Sequence, residues 1–220
     1  SERLQYQNVM PIDDKTNKLE KSYGANADIN YRTYIGEDWS FSINQLFFYT
    51  YLDNPLLLEN SSANLYQFVN SPGYIHTKGT ETNIKIGYDD LKLFLGYTYT
   101  DALLHQNGTT VESPLTPKHR INSILMYEIE DKWKIGLEAY YFSRQKLNNG
   151  TTGKDYFITG FMAEKIWERF SLYINFENFL DTRQTRFDSI YTGTITNPVF
   201  KDIYAPLDGF VINGGIKFKL

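Results

Sequence analysis

Phe210-Val211-Ile212-Asn213-Gly214-Gly215-Ile216-Lys217-Phe218-Lys219-Leu220 closes the chain in strict two-residue alternation. Phe210, Ile212, Gly214, Ile216, Phe218 and Leu220 fall on one side, and Val211, Asn213, Gly215, Lys217 and Lys219 on the other. A period of two sends successive side chains to opposite faces of a β-strand, so the segment has one apolar and one polar face. Strands of soluble domains average ~5–6 residues, whereas a strand that crosses a bilayer needs ~9–11 tilted residues. The stretch has the second length. It predicts an all-β protein, an antiparallel meander of the outer-membrane barrel type.

The same rhythm recurs upstream. Parity places strands at Ser22–Tyr34, Trp39–Tyr51, Thr77–Tyr88, Leu91–Ala102, His119–Ile129, Trp133–Ser143, Tyr156–Trp167 and Phe170–Leu180. In the second, Trp39, Phe41, Ile43, Phe47, Tyr49 and Tyr51 oppose Ser40, Ser42, Asn44 and Thr50. In the sixth, Trp133, Ile135, Leu137, Ala139 and Tyr141 oppose Lys134, Glu138 and Tyr140. The connections alternate too. Those near 36–38, 89–90, 130–132 and 168–169 are two or three residues, while 52–76, 103–117, 145–155 and 181–207 are long and polar. Short turns at one rim and long loops at the other are the signature of outer-membrane barrels, the short turns being periplasmic. Tyr66–Val69 reads as part of a small hairpin inside its loop, since a tenth spanning strand there would spoil the alternation.

Tryptophan gives a check independent of parity. Trp39, Trp133 and Trp167, the only 3 in the chain, each abut a short turn. Amphipathic indoles favour the membrane–water interface, where barrels carry aromatic girdles. The competing architecture, a soluble β-sandwich, has shorter strands and less asymmetric loops.

Composition agrees. Mean hydropathy is −0.44, and no run approaches the ~18 apolar residues of a transmembrane helix. A barrel tolerates this because every second residue faces a wet lumen. Aromatics are abundant, with 18 Tyr and 15 Phe against 3 Met. A net charge of −4 without a basic block argues against nucleic acid as a partner. The absence of cysteine removes disulfides and thiolate metal sites.

Nine strands are an odd number, and single-chain bacterial barrels have even ones. Residues 1–21 read as an irregular polar loop leading into the first strand. The expectation is therefore that 1–220 is the C-terminal portion of a larger barrel domain, with its upstream strands and any plug domain outside the chain.

Particular stretches carry a resemblance. They are Tyr49-Thr50-Tyr51-Leu52-Asp53-Asn54-Pro55, Gly79-Thr80-Glu81, Leu95-Gly96-Tyr97-Thr98-Tyr99-Thr100-Asp101-Ala102, Pro114-Leu115-Thr116-Pro117-Lys118-His119-Arg120, Glu177-Asn178-Phe179-Leu180-Asp181 and Pro206-Leu207-Asp208-Gly209. In this order and spacing they resemble the C-terminal barrel segment of a TonB-dependent outer-membrane receptor of the siderophore-receptor-like branch. One departure is Leu220, where such barrels end in an aromatic residue. The resemblance implies a plugged barrel of about 22 strands, this chain supplying roughly the last nine. It implies a multi-pass protein of the Gram-negative outer membrane that takes up a scarce large ligand, most simply a ferric siderophore, and contacts the TonB complex through the missing plug. Haem, cobalamin or oligosaccharide are the alternative cargoes, and a barrel protease or lipase the rival from another class.

No catalytic constellation is legible, and a non-enzyme without a cofactor is expected. His76, His105 and His119 read as two loop residues and a strand start, with no short metal-ligand spacing. Candidate ligand contacts are the aromatics Tyr51, Tyr66, Tyr74 and Tyr191, taken as loop residues because tyrosine supplies contact area at low entropic cost, together with His105. Arg120, Arg144 and Glu177 join Glu128 and Glu138 on the lumen parity, where they line a ligand path or hydrogen-bond a plug. The competing reading of these charges is a cross-strand network within the wall. Asn178 and Asp181 read as a loop-shaping pair, and the Asn60, Asn107 and Asn149 sequons as loop polarity.

Overall fold

The computed structural model describes residues 9–12, 15–62 and 65–219. Its elements are β1 (Lys21–Ile35), β2 (Trp39–Asp53), β3 (Leu56–Ser62), β4 (Leu65–Asn70), β5 (Gly73–Tyr88), β6 (Leu91–Gln106), β7 (Thr109–Glu112), β8 (His119–Ile129), β9 (Trp133–Phe142), β10 (Tyr156–Ile166), β11 (Phe170–Glu177), a 3-10 turn (Gln184–Arg186), β12 (Tyr191–Thr194), β13 (Asn197–Phe200) and β14 (Val211–Phe218). Nine of them form one antiparallel meander in the order β1-β2-β5-β6-β8-β9-β10-β11-β14, and β7 adds to the far end of β6. The strands predicted from alternation are these nine, each beside its predicted neighbour.

Register explains why the faces stay unmixed. Ile43 sits opposite Ile84, Ile84 opposite Leu95, and Leu93 opposite Leu125, which in turn faces Leu137. Residues directly opposite in a ladder share a face, so the apolar side chains of successive strands join into one continuous band. Leu125, Leu137, Leu172 and Ile174 are 42%, 47%, 41% and 40% exposed. Leu93, between Ile86 and Leu125, and Leu95, between Ile84 and Ser123, are half-buried. The strands touch their sheet neighbours, and among the described residues no second sheet covers them. An apolar band of this extent on a single layer needs lipid in place of a core.

The short-turn rim forms as the tryptophans suggest. Trp39 stacks on Tyr88 with ring centroids 4.4 Å apart, Trp167 on Phe170 at 4.8 Å, and Lys165 lies over Trp133 at 4.6 Å. Gly36, Asp89 and Asp131 turn the chain there with positive φ, a conformation open to glycine and tolerated by aspartate.

The long-loop side departs from the sequence reading. β5 begins at Gly73 rather than Thr77, and β6 runs to Gln106 rather than Ala102, each 16 residues long. Alternation through Tyr74, His76, Leu103 and His105 lets the ladder continue beyond bilayer thickness. The loop between β2 and β5 holds the β3–β4 hairpin, which contains Tyr66–Val69. The 181–207 loop holds the 3-10 turn and the β12–β13 hairpin. Of the expected leading loop 1–21, residues 1–8, 13 and 14 lie outside the described residues, as does Leu220. Among the described residues, β1 pairs only with β2 and β14 only with β11, leaving the sheet open at both edges.

Candidate functional site

The polar face carries two groups of charges at different heights. Near the short turns, Glu128 binds Lys92 and Lys134 at 2.9 Å each, and Glu164 accepts from Lys217 at 3.0 Å and from Ser171 at 2.6 Å. Alternating signs on adjacent strands link this part of the wall, and of the charges named in the cross-strand reading Glu128 takes part. Higher up, Arg120 is exposed opposite Thr98 and Phe142. Arg144, just past β9, pairs with Asp155 at 3.4 Å while its side chain is 73% exposed. Screening makes such an exposed pair weak, so the guanidinium is easily shared with an incoming anion. Glu177 accepts from Asn213 at 2.6 Å and Glu138 from the Tyr140 hydroxyl at 2.8 Å. Between these levels the wall thins at Gly136 and Gly160. They border a hollow of about 710 Å³ lined also by Met126, Glu138, Met162 and Glu177.

The three other candidates that come together do so on the opposite face. Tyr51 stacks on Tyr74 (4.9 Å between centroids), Tyr74 on His105 (4.4 Å), and His105 lies against His76 (4.7 Å). Tyr51, Tyr74, His76 and His105 are therefore strand residues of β2, β5 and β6, not loop residues. They also project to the apolar parity, away from Arg120 and Glu177. The cause is the extended ladder, which carries Tyr74 opposite His105 and Tyr51 opposite His76. His119 is also on the apolar parity and bonds the Tyr97 hydroxyl through Nδ1 at 2.9 Å.

Tyr66 and Tyr191 belong to separate two-stranded hairpins, on β4 and β12. The Tyr66 carbonyl accepts the Met10 N–H at 2.8 Å, while Tyr191 is exposed. The site candidates thus fall into an arginine-bearing polar face, an aromatic–imidazole strip on the apolar face, and two loop hairpins.

A set of residues without a sequence signature ties the long loops together. Leu147, Tyr204 and Ala205 make a small core packed by Leu115, Tyr156 and Phe187. The Tyr204 hydroxyl accepts the Lys154 N–H at 3.0 Å, and its carbonyl accepts from Tyr156 at 2.8 Å. Burial pushes the Tyr204 phenol above its usual value, and the nearby Asp188 adds to this. Asn178 bonds both to the Thr182 carbonyl (2.8 Å) and N–H (3.0 Å) and to the Asp208 carbonyl (3.2 Å). Asp181 accepts from the Phe210 N–H at 3.1 Å and from Arg183 at 2.9 Å, with Arg186 also on it. Desolvation pushes the Asp181 carboxyl up, but the Phe210 N–H and the two guanidiniums together hold it below the usual value. The loop-shaping role read from the sequence for Asn178 and Asp181 is the one they have. Lys118, which closes the neighbouring loop, is held above the usual lysine value first by its hydrogen bond to Glu112.

Among the described residues, no group of three or more His, Asp and Glu could hold a metal ion. The histidines that meet hydroxyls, His105 with Thr110 and His119 with Tyr97, are hydrogen-bonded to no carboxylate.

Nine antiparallel strands, seven of them 10–16 residues long and β11 and β14 8 residues each, with an apolar band, an aromatic rim and long loops at the other end, define a segment of a transmembrane β-barrel. The chain belongs to the TonB-dependent receptor-like β-barrel family, whose profile matches residues 5–179. Membership implies an outer-membrane setting. Among solved structures it is similar to the FrpB iron transporter of Neisseria meningitidis, with 15% identity, TM-score 0.59, and coverage of 94% of this chain and 32% of that one. It is similar also to the siderophore receptor PirA of Acinetobacter baumannii (15%, TM-score 0.58, 90% and 32%) and the ferric citrate transporter FecA (16%, TM-score 0.61, 88% and 31%). At these identities the likeness concerns the fold. The chain spans about a third of the length of the solved receptors it matches. No curated protein matches the sequence.

Proposed function

We propose that this chain is the C-terminal barrel portion of a Gram-negative outer-membrane receptor that imports a ferric siderophore. In this reading the polar face lines the lumen and the long loops are extracellular. A plug domain encoded upstream contacts the TonB complex, and the protein is not an enzyme. Family membership supports the receptor class. The single observation that supports an anionic cargo is the exposed guanidinium of Arg120 on the polar face of β8, with Arg144 exposed just past the end of β9. FrpB is an iron transporter, PirA a siderophore receptor and FecA a ferric citrate transporter, which favours iron among the possible cargoes.

The test is uptake of radiolabelled ferric siderophores by cells that carry the intact receptor, with and without a functional TonB. Energy-dependent uptake that falls ~10-fold or more in an Arg120→Ala, Arg144→Ala double variant is expected, given the strength of charge-assisted hydrogen bonds. Uptake indifferent to TonB, or to both arginines, would contradict the reading.

A further inference from the structure

We propose that His76 and His105 form a bidentate imidazole site for a divalent first-row transition-metal ion on the outward face of the receptor wall. The pair is built by register. Tyr74 lies opposite His105 in the β5–β6 ladder and His76 opposite Leu103, so the two histidines are diagonal neighbours on one face. His105 Nε2 and His76 Nδ1 converge to 3.0 Å. Two metal–nitrogen bonds of ~2.0–2.1 Å across that gap subtend about 95° at the ion. That suits two cis positions of a tetragonal or octahedral centre, with water in the rest.

The rings are held for this task before any ion arrives. His105 Nδ1 meets the Thr110 hydroxyl at 2.8 Å. In the metal-free pair one ring donates its N–H across the gap to the other's lone pair; with an ion bound, His105 carries its proton on Nδ1, donated to Thr110, and turns its Nε2 lone pair to the ion. Such an outer partner fixes tautomer and ring orientation at imidazole metal sites. His76 then carries its proton on Nε2 and offers Nδ1, and the N–H proton that bridged the gap has passed through solvent to the far nitrogen of its own ring, so the ion takes its place with no net proton release. Stacking of Tyr74 on His105, and of Tyr51 on Tyr74, limits rotation of the second ring. Both imidazoles are half-buried, open enough for an ion and its waters.

Height and charge favour a hydrated cation over a lipid. At ~3.3 Å per residue and a tilt of ~40°, His76 stands roughly 30 Å above the Trp39–Tyr88 rim, beyond an apolar band ~25 Å tall. Lys78 and Lys118 on this part of the wall are paired with Asp101 and Glu112, and the carboxylate of Asp53 lies opposite Tyr74. They leave no excess positive charge to attract a phosphate. Imidazole donors rank Cu2+ above Ni2+ and Zn2+, and these above Mn2+. The site faces away from the lumen, so it is independent of the cargo reading above.

The test is a Cu2+ titration of the intact receptor in detergent, followed by electron paramagnetic resonance, on wild type and on His76→Gln, His105→Gln and His119→Gln variants. Heat-modifiable gel mobility verifies that each is folded. Wild type is expected to bind one equivalent more than either of the first two variants, with hyperfine coupling to two nitrogens that is lost in both. His119→Gln keeps it, and Thr110→Val weakens it ~10-fold. Unchanged stoichiometry in folded His76→Gln and His105→Gln, or equal loss in His119→Gln, overturns the proposal. Should either variant not fold, a wild-type spectrum with fewer than two coupled nitrogens overturns it alone.

Discussion

The side-chain oxygen of Gln184 accepts the backbone N–H of Tyr204 at 2.8 Å and that of Ala205 at 3.1 Å. Gln184 is fully buried, and its amide nitrogen donates to the Asp202 carbonyl at 2.8 Å. One side chain thus fastens the 3-10 turn after β11 to the segment that returns into β14. Gln184→Ala strands two buried donors and one acceptor, each worth ~1–3 kcal/mol when left unpaired. Hydrogen exchange across 184–206 is expected to accelerate strongly in this variant, with exchange in β8 and β9 unchanged.

The apolar band makes a depth-dependent prediction. Leu137 lies midway between Trp133 and Tyr141 on the exposed apolar parity. Leu137→Arg in the refolded receptor is expected to cost ~2–4 kcal/mol of bilayer-embedded stability. Asn44→Arg, on the polar face beside Asp28, should change it by less than ~1 kcal/mol. Denaturant refolding in lipid vesicles checks both.

Close approach accounts for Gly79. A Cβ there would overlap the Tyr99 carbonyl oxygen and the Phe48 ring, one a backbone atom that cannot step aside. Gly79→Val is expected to destabilise the β5–β6 ladder by ~1–3 kcal/mol, the usual range for overpacking. The same denaturant midpoint measures it.

Asp181 sets the acid limit of the loop cluster. Its carboxyl titrates below the usual value in the folded loop because the charged form receives the Phe210 N–H and two guanidiniums. A folded pKa lower than the unfolded one stabilises the fold fully above ~4, the ordinary aspartate value, and the gain is lost as pH falls through the folded value. Proteolysis within 181–210 should therefore rise in acid below ~4. In Asp181→Asn this acid dependence should flatten, with faster cleavage at neutral pH.

The strands were legible because half their residues face one solvent and half another, so a period of two is written along each. Their upper ends were less so. Gly73-Tyr74-Ile75-His76 sits beyond the apolar band, where both faces are wet and polarity no longer distinguishes strand from loop. His76 and His105 are 29 residues apart, and only the β5–β6 register brings them within a hydrogen bond. Gln184 and Tyr204 were invisible for another reason. They act through backbone groups of other segments, which leave no pattern in side-chain type. Asn178 and Asp181 were readable as loop-shapers because short acidic and amide side chains at a strand end bond the local backbone.

The most direct test of the membrane-wall account uses the absence of cysteine from these 220 residues, any cysteine elsewhere in the receptor being replaced by serine. Single cysteines are placed at each position from Trp133 to Phe142 of the intact receptor, spin-labelled and reconstituted in lipid. Collision with oxygen, which concentrates in lipid, is compared with collision with a water-soluble nickel chelate. The account predicts strict alternation, with Ile135, Leu137, Ala139 and Tyr141 positions reporting lipid and Lys134, Gly136, Glu138 and Tyr140 positions reporting a polar lumen. Water contact on both parities, or lipid on neither, would contradict it.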